Sequence, residues 1–438
     1  MSGTAADGGV TQTAEQTPDR STGPVPCLQL RPTRHEVVCA DARHWRPGAS
    51  RPRASLVVTS PPYPMIAMWD DLFTAADSRI AGALATGDGG LAFELMHLQL
   101  DQVWDQLPGW LEPGALVCIN IGDATRSLGG SFRLYSNHSR IVSALTARGF
   151  EQLPGVIWRK ATNAPTKFLG SGMLPAGAYV TLEHEHILIF RLGGRRRFRA
   201  MEAEDRRASA YFWEERNLWF SDQWDLGGVR QTMGDAESAR SRTAAFPLEL
   251  AFRLICMHSL EGDVVLDPFL GTGTTTLAAM AAGRSSLGLE TDAGLLPIVS
   301  TRIVGELGVG DGGSPAAMAL GTTSMAPGTT PARDPAAETD HWTVPVDAAL
   351  APVNRRQYER VQAHHRAVQP RSGRGDRRPR YRNTLLDTPV VTRQERNLRL
   401  PVVTGARVLQ SGADGFMLEL GHAALGNNPP AHSPDEAG

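Results

Sequence analysis

The chain has 438 residues, 41% hydrophobic and 21% charged, an ordinary globular balance that excludes disorder throughout. At roughly 150 residues per domain the length allows two or three domains, and no apolar run approaches the roughly 18 residues of a membrane helix. The formal net charge of −2 offers no overall attraction to nucleic acid, yet residues 351–400 hold thirteen arginines against four acids.

Arginine suits phosphate and guanine recognition. A GC-rich coding sequence would supply arginine equally well, and both origins stay open. Cys27, Cys39, Cys118 and Cys256 lie far apart with no C-x-x-C pair, so neither a disulfide framework nor a zinc site is expected, and a reducing cytoplasm fits.

Residues 1–27 carry no secretory pattern and are expected to be a disordered lead-in. Folded structure is expected from Leu28. His35–Cys39 predicts a short strand ending near Asp41. Ser55–Thr59 predicts a second, stopped by Ser60-Pro61-Pro62-Tyr63-Pro64. Leu91, Leu95, Leu98, Val103 and Leu107 have helical spacing. Ala115–Ile121 predicts a strand, Arg140–Arg148 a helix, and Val156–Arg159 with His186–Arg191 two further strands.

From Arg195 to Ser241 the pattern dissolves into charge and aromatics. Pro247–Leu260 is amphipathic, Val264–Leu266 a strand, Thr276–Ala282 a helix, and Ser286–Leu289 a strand closing on Glu290. This alternation predicts an α/β fold with a parallel sheet. Residues 306–340, rich in Gly, Ala, Pro and Thr, are expected to be a linker. The Arg-rich region 341–425 follows, with extended runs at Pro389–Thr392 and Gly405–Leu420. Residues 426–438 are expected to be a disordered tail.

Two turns carry chemistry. In Leu266-Asp267-Pro268-Phe269-Leu270-Gly271-Thr272-Gly273-Thr274-Thr275, the glycines let the backbone bend and a ligand approach, and the next helix offers N–H groups to an anion. A P-loop is excluded because no Gly-Lys-Ser/Thr follows, and the dinucleotide pattern fails because Thr276 stands at its third glycine. Glu290 ends the next strand, where an acid can hold two ribose hydroxyls. Alone, the Gly/Thr run also fits a plain tight turn in any α/β protein.

In Ser60-Pro61-Pro62-Tyr63 the prolines stiffen the backbone and remove two donors, so nearby carbonyls can face a ligand as acceptors. Ser60 adds an acceptor, and the Tyr63 ring is expected to be open for stacking a base, the ring mattering more than its hydroxyl. Alone, it also fits a Pro-rich loop with a surface tyrosine.

Together the two turns resemble the amino-methylating DNA methyltransferases, with an Asp-Pro-Phe-x-Gly-x-Gly-Thr cofactor turn and an (Asp/Asn/Ser)-Pro-Pro-Tyr catalytic turn. The resemblance covers residues 35–305 and adds Leu111–Ala115, Trp158–Lys160, Glu185–Phe190 and Phe246–Leu250 in the family's order. One departure is Arg242-Thr243-Ala244, where many relatives have His-Pro. The catalytic turn comes first, as in the circularly permuted beta group, and Thr-Ser-Pro-Pro-Tyr resembles the N4-cytosine enzymes.

The resemblance implies a Rossmann-like S-adenosylmethionine (SAM) methyltransferase sheet over 28–305, with target recognition in 195–241 and 341–425 as an accessory region. It implies Ser60, Pro61, Pro62 and Tyr63 as catalytic, and Asp41, Asp267, Phe269, Gly271, Gly273, Thr274 and Glu290 as cofactor-binding. Double-stranded DNA is the implied substrate, with a restriction endonuclease as functional partner and no metal or membrane. N6-adenine methylation and a catalytically silent DNA-binding protein are the alternatives.

Topology agrees. If the Asp267, Glu290, Asp41 and Ser60 strands are first to fourth in the sheet, all four residues fall at carboxyl ends, where such sheets bind ligands. Other features stay open. Met65–Asp70 reads as a mobile lid or a packed helix, and Arg195, Arg196, Arg197 and Arg199 as phosphate ligands or a solvated loop. Tyr211, Phe212, Trp213, Trp219, Phe220 and Trp224 read as core, and His184 with His186 has no third metal ligand in evidence.

Overall fold

A computed structural model describes residues 26–48, 50–160, 169–200, 202–227, 246–308, 343–345, 351–368 and 398–425. The lead-in up to residue 25, Arg242–Ala244, most of the linker, Pro389–Thr392 and the tail lie outside the described residues.

The strands are β1 (Pro26–Cys39), β2 (Ala54–Thr59), β3 (Leu111–Ile121), β4 (Ala124–Leu128), β5 (Ser131–Tyr135), β6 (Phe150–Arg159), β7 (Leu169–Gly170) and β8 (Ala178–Tyr179). They continue as β9 (His184–Leu192), β10 (Gln223–Asp225), β11 (Val264–Asp267), β12 (Ser285–Glu290), β13 (Thr343–Pro345), β14 (Leu400–Gly412) and β15 (Gly415–Leu425). Eleven form one sheet in the order β10-β6-β9-β3-β2-β11-β12-β1-β15-β14-β13. Its centre, β3-β2-β11-β12-β1, is parallel throughout.

The four strands named from the sequence are neighbours in the order β2-β11-β12-β1, so the Ser60 strand flanks the Asp267 strand and the Asp41 strand flanks the Glu290 strand. β11 lies between β2 and β12 in space but follows β2 by about two hundred residues in sequence. Side-chain alternation builds both faces. Leu56 and Val58 join the core under the helices Leu248–His258, Thr274–Ala282 and Leu296–Glu306. Val57 joins the opposite core, under Gly89–Trp104 and Asn137–Ala147.

The helix Gly89–Trp104 forms where its spacing predicts, N-capped by Asp88, whose side chain accepts from the Leu91 amide at 3.0 Å. Its buried stripe is Ala92, Leu95, Met96, Leu100 and Val103, whereas Leu91 and Leu98 face solvent. An i, i+3, i+4 count satisfies either face, and only the tertiary contact chooses between them.

Two further differences from expectation concern the ends of the folded part. β1 begins well before His35, at Pro26, because this stretch pairs with β15 from Leu425 onward, and its middle carries the buried polar side chains Thr33 and His35. Thr33 Oγ1 lies 2.8 Å from His35 Nε2 and 2.8 Å from His422 Nε2, and His35 Nδ1 lies 3.0 Å from Ser286 Oγ. Burial first, then the neighbouring His422, pushes His35 down to about 3. Burial pushes His422 down to about 4, so both rings are neutral at pH 7.

The C-terminal region is continuous with the sheet. β15 runs antiparallel along β1 from Pro26–Leu425 to Val38–Gly415, and β14 covers β15. Helix Arg355–Val368 packs against the helix Thr274–Ala282, with Gln357 Nε2 donating to the Ala281 carbonyl at 2.7 Å. Several arginines of this region are paired, whereas Arg355 is largely exposed. Arg360 grips Glu215 with 2.5 and 2.9 Å contacts, Arg356 meets Glu249, and Arg399 meets Glu204 at 2.6 Å. Phe212, Trp219 and Trp224 are buried, as their sequence context predicts.

Ending the chain near residue 340 strips β14 and β15 from β1. Such a chain is expected to lose cooperative thermal unfolding and its near-UV circular dichroism. An unchanged melt would show that the sheet stands without them.

Candidate active site

Each predicted turn lies at the carboxyl end of its strand, and one buried carboxylate joins them. Asp267, the last residue of β11, is 2% exposed. Its Oδ1 accepts from Thr59 Oγ1 at 2.6 Å and from the Phe269 amide at 3.0 Å, and its Oδ2 accepts from Thr275 Oγ1 at 2.6 Å. Asp267 therefore holds the residue before Ser60, the Gly/Thr turn and the helix after it. Burial pushes its carboxyl up to about 6, against the lowering effect of the Thr275, Thr59 and Phe269 hydrogen bonds.

The Gly/Thr turn needs its glycines. Gly271 and Gly273 have φ of 55° and 85°, the left-handed region that side chains resist. A Cβ on Gly273 would stand 2.8 Å from Val299 Cγ1, whereas one on Gly271 would meet open space. Glu290 ends β12 and is fixed by backbone donors: Gly271 N at 2.8 Å on Oε2 and Asp292 N at 2.8 Å on Oε1. Burial raises its carboxyl above the usual range. Thr274 begins the helix, buried, with Arg302 reaching its hydroxyl and that of Thr272. Phe269 packs edge-on against Trp104, ring centroids 5.8 Å apart.

Asp41 follows β1 on the far side of Glu290, with the Ala40 amide donating to the Glu290 carbonyl at 2.8 Å. Its carboxylate is committed to Arg43, whose Nε lies 3.0 Å from both oxygens and whose Nη2 lies 2.6 Å from Oδ2. Burial would raise this carboxyl, but the Arg43 hydrogen bonds and charge win and hold it below its usual range.

Tyr63 differs most from expectation. It is 3% exposed and offers no open face for a base. Instead its hydroxyl is the centre of a polar cluster. Tyr63 Oη donates to Glu185 Oε2 at 2.8 Å and accepts from Asn120 Nδ2 at 2.8 Å and Ser60 Oγ at 3.1 Å. Asn120 Nδ2 also lies 2.6 Å from Glu185 Oε2, and Lys160 pairs with the same carboxylate. Burial, then the Glu185 charge, raises the Tyr63 phenol well above its ordinary value. Asn120, Glu185 and Lys160 were not legible as site residues. They sit on β3, on β9 and just past β6, and only strand pairing brings them to Tyr63. The one signal was polar residues ending otherwise apolar strands.

Further support reaches the turn from behind. Asn137 Nδ2 donates to the Pro64 carbonyl at 3.1 Å and the Gly122 carbonyl at 2.9 Å. A Cβ on Gly122 would come within 3.1 Å of the Tyr63 ring. Met65, buried, has φ of 68°, a left-handed conformation unusual for a side chain of this size. Beyond it, Asp70 forms a two-point pair with Arg126 of β4, at 2.8 and 2.6 Å, while Met68 between them stays exposed.

The arginines at 195–199 lie elsewhere. Arg196 pairs with Asp263, just before β11, at 2.6 and 3.1 Å. Two cavities of about 590 and 530 Å3 open at this end, both lined by Ser55, Arg195 and Arg196. Ser55 precedes Ser60 by five residues, about 16 Å of extended strand, so they face away from the two turns.

A family model described as DNA methylase matches residues 54–300, which include both turns and the sheet between them. The chain belongs to the DNA methylase family. Among curated relatives of this DNA methylase, the Type II methyltransferase M.MthZI of Methanothermobacter thermautotrophicus is 54% identical over 252 residues, 57% of this chain and 71% of its own. The Type II methyltransferase M.MjaI of Methanocaldococcus jannaschii is 45% identical over 282 residues, 62% of this chain and 91% of its own. A solved structure described as a DNA modification methylase of Thermus thermophilus, complexed with S-adenosyl-L-methionine, is 32% identical. It covers 62% of this chain and 93% of its own, at a TM-score of 0.46. No helix among the described residues is long and apolar enough to cross a membrane.

The junction carboxylate makes a pH prediction. The fold holds the Asp267 proton more tightly than the unfolded chain does, so ionisation above about pH 4 favours the unfolded state until the folded group also ionises near 6. Asp267→Asn removes that titration. The stability of the wild type relative to this variant is expected to fall by about 3 kcal/mol between pH 4 and 6 and then level off. Urea unfolding of both proteins across that range measures it, and a flat difference would contradict it.

Proposed function

We propose that the chain is a site-specific DNA methyltransferase that uses S-adenosylmethionine and methylates the exocyclic N4 amine of a cytosine in double-stranded DNA. The observation that carries this is the Thr59–Asp267–Thr275 junction, which sets an acceptor-rich turn beside a glycine turn at one end of the sheet. Family membership and the Type II methyltransferase relatives support DNA methylation, and the Thermus complex supports the cofactor.

The residues present fit that cofactor. Gly271 leaves open space over its Cα, and Glu290 keeps a lone pair on each oxygen beyond its two backbone bonds. Glu290 would take ribose hydroxyls, and the first turn of the helix Thr274–Ala282 the amino-acid carboxylate. Asp41 would contribute near the adenine as part of its Arg43 pair. When bound, the cofactor supplies an electrophilic methyl group on a sulfonium.

A base inside the duplex cannot reach this end of the sheet, so it must flip out. Ser60 Oγ and the Pro61 carbonyl would then accept the two amine hydrogens and orient the nitrogen lone pair. The Tyr63 hydroxyl extends the line. Ser60 donates to Tyr63 and Tyr63 to Glu185, a two-link path along which the proton lost by the amine can pass to a carboxylate beside Lys160.

DNA would approach the carboxyl end of the strands, where two small hairpins project. β4–β5 and β7–β8 meet through stacked Phe132 and Tyr179, 4.7 Å apart, and beside them Met173 and Val180 are 87% and 85% exposed. Alongside residues 195–241, these hairpins are our candidates for contacting the target sequence. A restriction endonuclease of matching specificity would be a functional partner.

Nucleoside analysis of methylated DNA is expected to find N4-methylcytosine. This step rests on the serine at position 60, and N6-methyladenine alone would replace the cytosine assignment with the adenine one. Tyr63→Phe keeps the ring but leaves Glu185 short of a donor. It is expected to lower kcat by about tenfold to a hundredfold with cofactor affinity intact, from the 1.5–3 kcal/mol of a hydrogen bond to a charged group. Activity retained in full would return the weight to the ring.

A further inference from the structure

In the sequence, His184 and His186 have no third ligand nearby. The fold supplies two. Asp123 follows the end of β3, His138 lies in the first turn of the helix Asn137–Ala147, and His186 is in β9. One ligand atom from each comes within 4.8 Å of the other two. The His138 and His186 rings stack with centroids 3.9 Å apart and planes 20° apart. We propose that Asp123, His138 and His186 form a zinc-class metal site.

Two imidazoles and one carboxylate make a donor set that suits zinc and its neighbours and not magnesium or calcium. Zinc bonds of about 2.0–2.2 Å place tetrahedral ligand atoms roughly 3.3–3.5 Å apart. His138 Nδ1 and Asp123 Oδ2 are 2.8 Å apart, so this pair has to open only slightly, while the His186 ring has to rotate out of its stack on His138 to bring its nitrogen lone pair onto the same ion. All three residues are partly accessible, which leaves an entry path and room for a fourth ligand. That ligand is water or exposed His184, whose ring lies 5.0 Å from that of His186.

The surroundings also fit. A ligating histidine usually donates its other ring N–H to a fixed partner. If His138 Nδ1 takes the metal, its Nε2–H faces Ser139 Oγ at 3.1 Å.

The position gives the site a consequence. Each ligand is the chain neighbour of a residue that holds the Ser-Pro-Pro-Tyr turn. Asp123 adjoins Gly122, whose Cα lies against the Tyr63 ring. His138 adjoins Asn137, which binds the Pro64 carbonyl. His186 adjoins Glu185, which binds the Tyr63 hydroxyl. One ion would tie these three supports together with three bonds.

The test uses the full chain, stripped with a chelator and titrated with zinc against a chromophoric competitor. A single equivalent is expected, undiminished by millimolar magnesium. Cobalt(II) should give visible absorption of four-coordinate intensity. His186→Gln and, separately, Asp123→Asn are expected to weaken zinc binding at least about tenfold. Circular dichroism should show both variants folded, and should Asp123→Asn fail to fold, His186→Gln decides alone. Absence of zinc binding at micromolar concentration, or equal binding by wild type and folded variants, would overturn the site.

Discussion

The site depends on one buried carboxylate. Asp267 has no basic partner among its hydrogen bonds, and it meets its burial with two hydroxyls and an amide. A buried carboxyl short of donors is expensive, so Thr59 and Thr275 are needed as much as Asp267 itself. Because Thr59 immediately precedes Ser60, this need also fixes where the Ser-Pro-Pro-Tyr turn leaves its strand. The same few bonds that make the junction stable make its two halves meet.

A second constraint is set around Tyr63. Its hydroxyl, Asn120 and Glu185 bond one another, Lys160 joins through Glu185, and the four residues belong to four strands or the turns just past them. Polar clusters of this kind favour one arrangement, since a slip in register breaks several of their buried hydrogen bonds at once. Register between β3 and β9, which places Asn120 against Ile187, is thereby coupled to the turn after β2. Fold and site share their specification.

Much of this was legible in the sequence. Val264–Leu266 and Ser55–Thr59 are short apolar runs bounded by breakers, and they became β11 and β2 with Asp267 and Ser60 at their ends. The Gly271 and Gly273 turn was readable because glycine is the residue that tolerates its backbone. What could not be read has physical reasons. The first half of β1 is hidden because Arg31, Pro32, Thr33 and Arg34 interrupt any apolar run, whereas the strand is made by pairing with β15, nearly four hundred residues away in sequence. The arginines of the C-terminal region read as free charge, whereas Arg360 and Arg356 are answered by Glu215 and Glu249 from distant helices. The buried hydroxyl of Tyr63 needed knowledge of three strand pairings that no local pattern encodes.

The position of β1 in the sheet has a consequence in time. Its two neighbours are β12 and β15, so neither of its edges has a partner until residue 285 at the earliest. During synthesis at about 5–20 residues per second, that interval is on the order of tens of seconds. For that period the ribosome holds a strand with both edges open, the condition in which chains pair wrongly with one another. Arg31, Pro32 and Arg34, which interrupt the apolar pattern and stay exposed in the folded strand, are the kind of charge and proline that discourage a waiting edge from pairing wrongly.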